Sequence, residues 1–256
     1  MISAGFRKLI ERKHVIPFDD LTPTQQNNIL TAESSYFIPW DVGFKETSVS
    51  TPARPVFDAS SRTSTGYSLN DLLAKGDAQI VDLLNMTLNW LIGSSATTGD
   101  ISQFYNNLLL EEEHWPFQQV YWCEDLDMKK ELIRGIIITA IYGVRCVAGQ
   151  TEEVMGLLAK DIKERYPEVW KLLVKLRYVD DFGKSNRSQA ESESLIKDTD
   201  TVLDTVGMKV KGWAQTGKSP PSEISDDGVS VMFAGLKWIP TIDVFSLGID
   251  ILCRHR

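Results

Sequence analysis

The stretch Leu176–Ser185 reads LRYVDDFGKS, an apolar run that climbs into two adjacent carboxylates. Like charges side by side repel, so such a pair stands either at a solvated turn or around a cation. Asp is a favoured turn residue, and this stretch by itself leans toward the solvated turn. A second stretch, TTGDISQFYNN, ends a short strand candidate at Asp100 and places Tyr105 five residues further on. Asp100 and Asp180 are far apart in sequence and meet only if their strands are neighbours in one sheet. In that case Asp100, Asp180 and Asp181 converge. Clustered carboxylates suit a hard cation such as Mg²⁺, which takes oxygen ligands and keeps positions open for substrate phosphates. Two such ions can hold the attacking and leaving oxygens of a phosphoryl transfer in line.

Positioning those aspartates is the task of the surrounding elements. Residues 170–179 alternate as a strand, with Leu172, Val174, Leu176 and Tyr178 on one face and Lys175 and Arg177 on the other. Asp180 then shares the face of Leu176 and Tyr178, Asp181 begins the turn, and Gly183 lets the chain reverse. Lys171, Lys175 and Arg177 read as a solvated face rather than a phosphate track. Further strands are expected at 96–102, 116–122, 133–142, 208–213 and 229–239, with short strands and turns through 36–60. Helices are expected at 4–13 and at 77–92, the latter well buried through Ile80, Leu83, Leu84, Leu88, Leu91 and Ile92. A third presents Val154, Met155, Leu158 and Ile162 until Pro167 stops it. A fourth starts from a Ser188–Glu191 capping box, buries Leu195, Val202, Leu203 and Val206, and ends at Gly207. Trp213 and Trp238 read as core residues. The pattern is α+β: a small mixed or antiparallel sheet with helices on one face.

Composition sets outer bounds. A chain of 256 residues with 43% hydrophobic content can bury a substantial core. The net charge of −8 argues against nucleic-acid binding by the whole surface and leaves room for a local basic track. Cys123, Cys146 and Cys253 make no CxxC pair, and the three scattered histidines complete no zinc site. Free thiols in a reducing, cytoplasmic compartment are therefore expected. No apolar run is long enough for a membrane span, and the basic residues of MISAGFRKLIERKH break any signal-peptide pattern.

Tyr178-Val179-Asp180-Asp181 resembles the YxDD box of reverse transcriptases, and Asp100 with Tyr105 resembles their first catalytic motif. The stretches RPVFDASSRTSTGYSLNDLL, TGDISQFY, YGVRCVAG, RYVDDFGKS, VGMKVKGWAQTG and FAGLKWIPTIDVFSL follow in order. Together they resemble the reverse transcriptase of BEL/Pao-type long-terminal-repeat retrotransposons, over about residues 35–250. The resemblance implies the fingers and palm of a right-hand polymerase: fingers at about 1–75 and 110–142, palm at about 76–109 and 143–256. The thumb, RNase H, protease and integrase regions of the polyprotein would lie outside this sequence. It implies an RNA-directed DNA polymerase, with template, primer and deoxynucleoside triphosphates as partners and a cytoplasmic location, including virus-like particles.

The resemblance also assigns roles. Asp100, Asp180 and Asp181, with the Ile101 carbonyl, would hold two Mg²⁺ ions, or Mn²⁺ in their place. Tyr105 matches the gate that rejects a ribose 2′-hydroxyl. Arg54 matches the fingers arginine that meets the triphosphate, with Lys45 a second phosphate contact. Gly143 matches the loop glycine against template and incoming base, with Arg145 just beyond. Lys209 matches a lysine near the triphosphate, though the alternation of Lys209 and Lys211 with Met208 and Val210 equally fits a solvated strand face. Gly235–Trp238 resembles the primer-grip hairpin. Two positions depart from the retroviral pattern: Tyr142 replaces a glutamine, and Val147-Ala148 replaces a small residue and proline. Two other readings stay open, a palm-type RNA-dependent RNA polymerase and a degenerate or domesticated copy that keeps the fold for binding. The first normally lacks an aromatic gate and favours Gly before the Asp pair.

Overall fold

In the computed structural model the described residues are 2–44, 53–76, 83–124, 127 and 129–246. The chain runs α1 (Ile2–Glu11), β1 (Val15–Pro17), α2 (Pro23–Leu30), β2 (Trp40–Phe44), β3 (Ala53–Phe57), α3 (Leu69–Leu72), α4 (Leu83–Trp90) and β4 (Ser95–Ile101). It continues through β5 (Gln119–Cys123), β6 (Leu132–Ile137), α5 (Val147–Ile162), α6 (Pro167–Lys175), β7 (Arg177–Tyr178) and β8 (Asp181–Asn186). α7 (Gln189–Asp204), β9 (Val210–Gln215), β10 (Val231–Phe233), β11 (Leu236–Ile239) and β12 (Val244–Ser246) complete it. Helices mixed with small antiparallel sheets make an α+β fold. It divides into two units, Met1–Ala78 with Tyr105–Thr151, and Gln79–Phe104 with Glu152–Arg256.

The first unit is built on the sheet β1-β6-β5. β6 is its central strand, and its isoleucines feed two cores. Ile137 joins Phe6, Val15 and Trp122, while Ile136 joins Leu21, Ile29 and Trp115. Burial on both faces explains the unbroken apolar run, which reads as non-alternating for that reason. The strand expected over 133–142 stops at Ile137, beyond which Thr139 keeps only an isolated bridge to Leu109. The strand expected from 116 starts at Gln119, because the chain through Glu112–Phe117 is 3₁₀.

The second unit carries the sheet β7-β8-β4-β9, antiparallel throughout. Both faces are covered by helices, where the sequence pattern suggests one. On one face Ser95 meets Ser192 of α7, and the Trp213 indole N–H donates to Asp200 of α7 at 2.9 Å. On the other, Ala96 and Ala214 pack with Met86 and Trp90 of α4 and with Phe233 and Trp238.

Several expectations are corrected here. Residues 170–175 are helical, not a strand. Pro167 occupies the first turn of α6 rather than stopping a helix, and Val169, Leu172 and Leu173 bury a helical stripe that mimics alternation. α4 is not well buried: among its described residues only Met86 and Trp90 are, whereas Leu83, Leu84 and Leu88 are exposed. Residues 77–82, with Ile80, lie outside the described residues. Val154 and Val206 face solvent. Ser188 does cap α7, but Glu191 returns its carboxylate to the Arg187 N–H, so the box is only half formed. The region expected as one strand over 229–239 is the hairpin β10–β11.

Gly183 plays a different part from the one its sequence suggests. It lies within β8, and a Cβ there would sit 2.4 Å from Trp90 and 2.5 Å from Phe233. Those rings are buried, so they cannot yield. Glycine here permits close packing of strand, helix and hairpin. Gly183→Ala is expected to cost about 1–3 kcal/mol and lower Tm by about 3–10 °C. A calorimetric scan with an unchanged midpoint would contradict this packing.

Candidate metal centre

Three structural devices bring the aspartates together. The first is the β7–β8 hairpin, whose turn is Val179-Asp180, with Tyr178 and Asp181 paired across it. Asp181 is therefore the first residue of a strand and not the start of the turn. Val179 takes φ of 59°, a left-handed conformation that a β-branched residue adopts only under constraint. The second is the register of β4 on β8, which sets Asp100 directly opposite Asp181. Where β4 meets β9, Gly99 pairs with Trp213 and Ile101 with Val210. Two residues of β9, Lys211 and Gly212, thus face the single Asp100, a β-bulge of the kind that re-aims side chains. The third is the β10–β11 turn, where Ala234 and Gly235 have φ of 49° and 82°, as a tight primed turn requires. The Ala234 backbone amide in this turn favours the charged form of the Asp181 carboxyl.

One carboxylate oxygen from each of Asp100, Asp180 and Asp181 lies within 4.8 Å of the others. Among the described residues this is the one group of three such ligands. Burial pushes the Asp181 carboxyl up to about 7, helped by Asp180 and Asp100 and opposed by the Ala234 amide. Burial likewise raises Asp100 to about 6, with Asp180 adding to the rise and Lys211 opposing it. Asp180 is raised by burial too, against its own backbone amide and Arg177. The cluster therefore carries more negative charge than its surroundings compensate. An all-oxygen donor set of this kind fits a hard divalent cation.

The backbone around the cluster is firmly tied. The Ile101 N–H donates to the Asp180 carbonyl at 3.0 Å, and the Ser102 N–H donates to the Lys209 carbonyl at 2.8 Å. Lys209, read as a phosphate contact, has an exposed side chain, and it is Lys211 whose charge acts on Asp100.

The remaining residues named from sequence lie in the first unit. Arg54 is exposed on β3, opposite Gly43 of β2. Tyr105 is half-buried in a 3₁₀ turn, its ring edge-on to Tyr142 with centroids 4.4 Å apart. Gly143 has φ of 91°, and its carbonyl accepts from Asn70 Nδ2 at 2.7 Å. Lys45 lies outside the described residues.

Sequence reading missed Asn70, Glu152 and the true place of Arg177. Asn70 spans the 143–145 loop, accepting from the Arg145 N–H at 2.8 Å as it donates to Gly143. Arg177, expected on a solvated face, is 3% exposed and forms a two-pronged ion pair with Glu152. Lys171, half-exposed, pairs with Glu168, in keeping with the solvated face read for it. No periodic signal links Glu152 to Arg177, because their meeting depends on how α5 packs.

No family model matches the chain, and no curated protein does. Among solved structures, one described as the foamy viral protease-reverse transcriptase in complex with RNA/DNA hybrid is similar over 92% of this chain. The TM-score is 0.56 at 14% identity, and the chain spans 25% of that protein. This likeness shows a fold of the reverse-transcriptase kind.

Raised carboxyl pKa values carry a definite sign. The folded state holds protons that the unfolded chain releases above about pH 4, so without cation the cluster lowers stability progressively from about pH 4 to 7. After allowance for screening, Asp181→Asn is expected to recover about 1–2 kcal/mol at pH 8, or about 2–6 °C in Tm, and almost nothing at pH 4. Added Mn²⁺ should raise the wild-type Tm at pH 8 and leave the variant's nearly unchanged. Equal Tm profiles against pH for the two proteins would contradict the electrostatics described.

Proposed function

We propose that this chain is an RNA-directed DNA polymerase of the BEL/Pao retrotransposon type, extending a primer 3′-hydroxyl with deoxynucleotides. The observation that carries the proposal is the convergence of Asp100, Asp180 and Asp181 within a fold of the reverse-transcriptase kind. Nothing in the packing of the sheet requires three carboxylates there, and their repulsion is a cost to the fold.

In this reading the second unit serves as palm and the first as fingers, with the family-based boundaries near 1–75 and 110–142 for fingers and 76–109 and 143–256 for palm. The division of the chain at 78, 105 and 151 supports that assignment. Asp100, Asp180 and Asp181, with the Ile101 carbonyl, would hold two Mg²⁺ ions, and Mn²⁺ would serve in their place. Bound there, the ions would lower the pKa of the primer hydroxyl and neutralise charge on the triphosphate. The oxygen of that hydroxyl bonds to the α-phosphorus as the bond to the bridging oxygen breaks and pyrophosphate leaves.

The chain's own groups bind and orient. Arg54 forks onto phosphate oxygens of the incoming nucleotide, a task suited to a planar guanidinium. Tyr105 closes the space a 2′-hydroxyl would need. Gly143 lets backbone approach the templating base. Lys209, or Lys211 by virtue of its charge near Asp100, meets the triphosphate. The β10–β11 hairpin, whose Ala234 amide acts on Asp181, supports the primer end. The foamy viral protein was solved with RNA/DNA hybrid, which favours a nucleic-acid partner here. The cell compartment proposed is the cytoplasm.

Extension of a primed RNA template with Mg²⁺ or Mn²⁺ tests this directly. Asp180→Asn is expected to lower kcat by at least about 10³-fold, on the scale of removing a group that acts only in the transition state. Equal extension by variant and wild type would sink the metal assignment. Tyr105→Ala is expected to admit ribonucleotides, and unchanged sugar selectivity would remove its gate role. Binding of primed template without extension would identify a copy that keeps the fold for binding alone.

A further inference from the structure

We propose that the Arg177–Glu152 ion pair is a positioning device for Asp180, holding the left-handed Val179 turn so that its neighbour's carboxylate reaches Asp100 and Asp181. The proposal rests on the metal-site reading above and adds residues which that reading does not use.

The geometry makes the guanidinium a strut between separate elements. Arg177 Nη1 donates to Glu152 Oε1 at 3.0 Å and to the Val179 carbonyl at 2.5 Å. Nη2 donates to Glu152 Oε2 at 2.6 Å, and Nε donates to the Leu173 carbonyl at 3.1 Å. Four of the five donors of an arginine are thereby committed. The guanidinium also lies 5.3 Å from the centre of the buried Phe104 ring. Glu152 belongs to α5, Leu173 to α6, and Phe104 follows β4, so the anchors are independent of the hairpin itself.

The hairpin needs such an anchor. β7 contributes only Arg177 and Tyr178 to the ladder, too few pairs to hold a strained turn. Val179 is left-handed without being glycine, and its carbonyl direction is set by the Arg177 bond. Asp180 follows immediately, and its own carbonyl accepts from Ile101 beside Asp100. A buried ion pair is a weak source of stability compared with apolar packing, so its place behind a strained turn points to geometry. A lysine could not span both Glu152 and the Val179 carbonyl with the same fork.

The test compares full-length wild type with Arg177→Lys, Arg177→Lys/Val179→Gly and Leu195→Ala. Leu195 is a buried α7 residue, and its truncation controls for general destabilisation. Mn²⁺ binding at pH 8 is read by electron paramagnetic resonance. Amide hydrogen exchange is read at Ile101 and Gly183, whose N–H groups bond to Asp180 and Leu176. Arg177→Lys is expected to weaken Mn²⁺ binding about tenfold, the usual scale for a residue that orients metal ligands, and to speed both exchanges. Val179→Gly should restore most of that affinity, since glycine takes a positive φ without strain. Leu195→Ala should keep wild-type Mn²⁺ affinity. In primer extension, Arg177→Lys should lower kcat with the KM for deoxynucleotide unchanged.

Unaltered Mn²⁺ affinity and exchange in Arg177→Lys would overturn the proposal, as would an equal loss in Leu195→Ala. If wild type binds Mn²⁺ no better than Asp180→Asn, the metal-site reading fails instead. Exchange at Ile101 and Gly183 then still decides whether the pair holds the turn: faster exchange supports it, and unchanged exchange overturns it.

Discussion

Repulsion among three carboxylates organises the second unit. Asp100, Asp180 and Asp181 hold oxygens within 4.8 Å of one another, with burial and mutual charge raising two of them to about 6 and 7. Left to itself such a cluster would relax by turning side chains into solvent. Here the backbone prevents that. Asp100 is fixed by antiparallel register against Asp181 and by a bulge against β9, and Asp180 is fixed by a turn that Val179 would not adopt alone. The structure spends stability to keep negative charge in one place, as expected where charge is to be met by a cation.

Packing on the two faces of the sheet supplies the rigidity this demands. α7 covers one face, joined by the Ser95–Ser192 contact and the Trp213–Asp200 bond. α4 and the β10–β11 hairpin cover the other, and the missing side chain of Gly183 lets Trp90 and Phe233 come close beneath β8. The hairpin also acts on Asp181, since the Ala234 amide opposes the rise of its carboxyl.

Much of this was legible in the sequence because it is local. The strand to Asp100, the hairpin around Tyr178 to Phe182 and the helix capped by Ser188 all carry short-range signals. The convergence of Asp100 with Asp180 and Asp181 followed from assuming adjacent strands, and the register puts Asp100 opposite Asp181. What sequence did not reveal depends on tertiary context. Residues 170–175 alternate as a strand would, yet Pro167 and the stripe Val169, Leu172, Leu173 make them α6. That change alone moves Arg177 from a solvated face to a buried ion pair with a glutamate on another helix. Gly183 reads as a turn residue because glycine after Asp-Asp suits a turn, whereas its role is set by two rings distant in sequence. The exposed leucines of α4 carry the period of a core helix and do not tell which side is covered.

All of this turns on whether the three carboxylates take up a cation. Diffraction from crystals soaked in Mn²⁺, recorded at the manganese absorption edge, tests it most directly. An anomalous peak is expected in contact with carboxylate oxygens of Asp100, Asp180 and Asp181, with its loss in Asp180→Asn. A wild-type crystal with full manganese occupancy elsewhere and no peak at this cluster would contradict it.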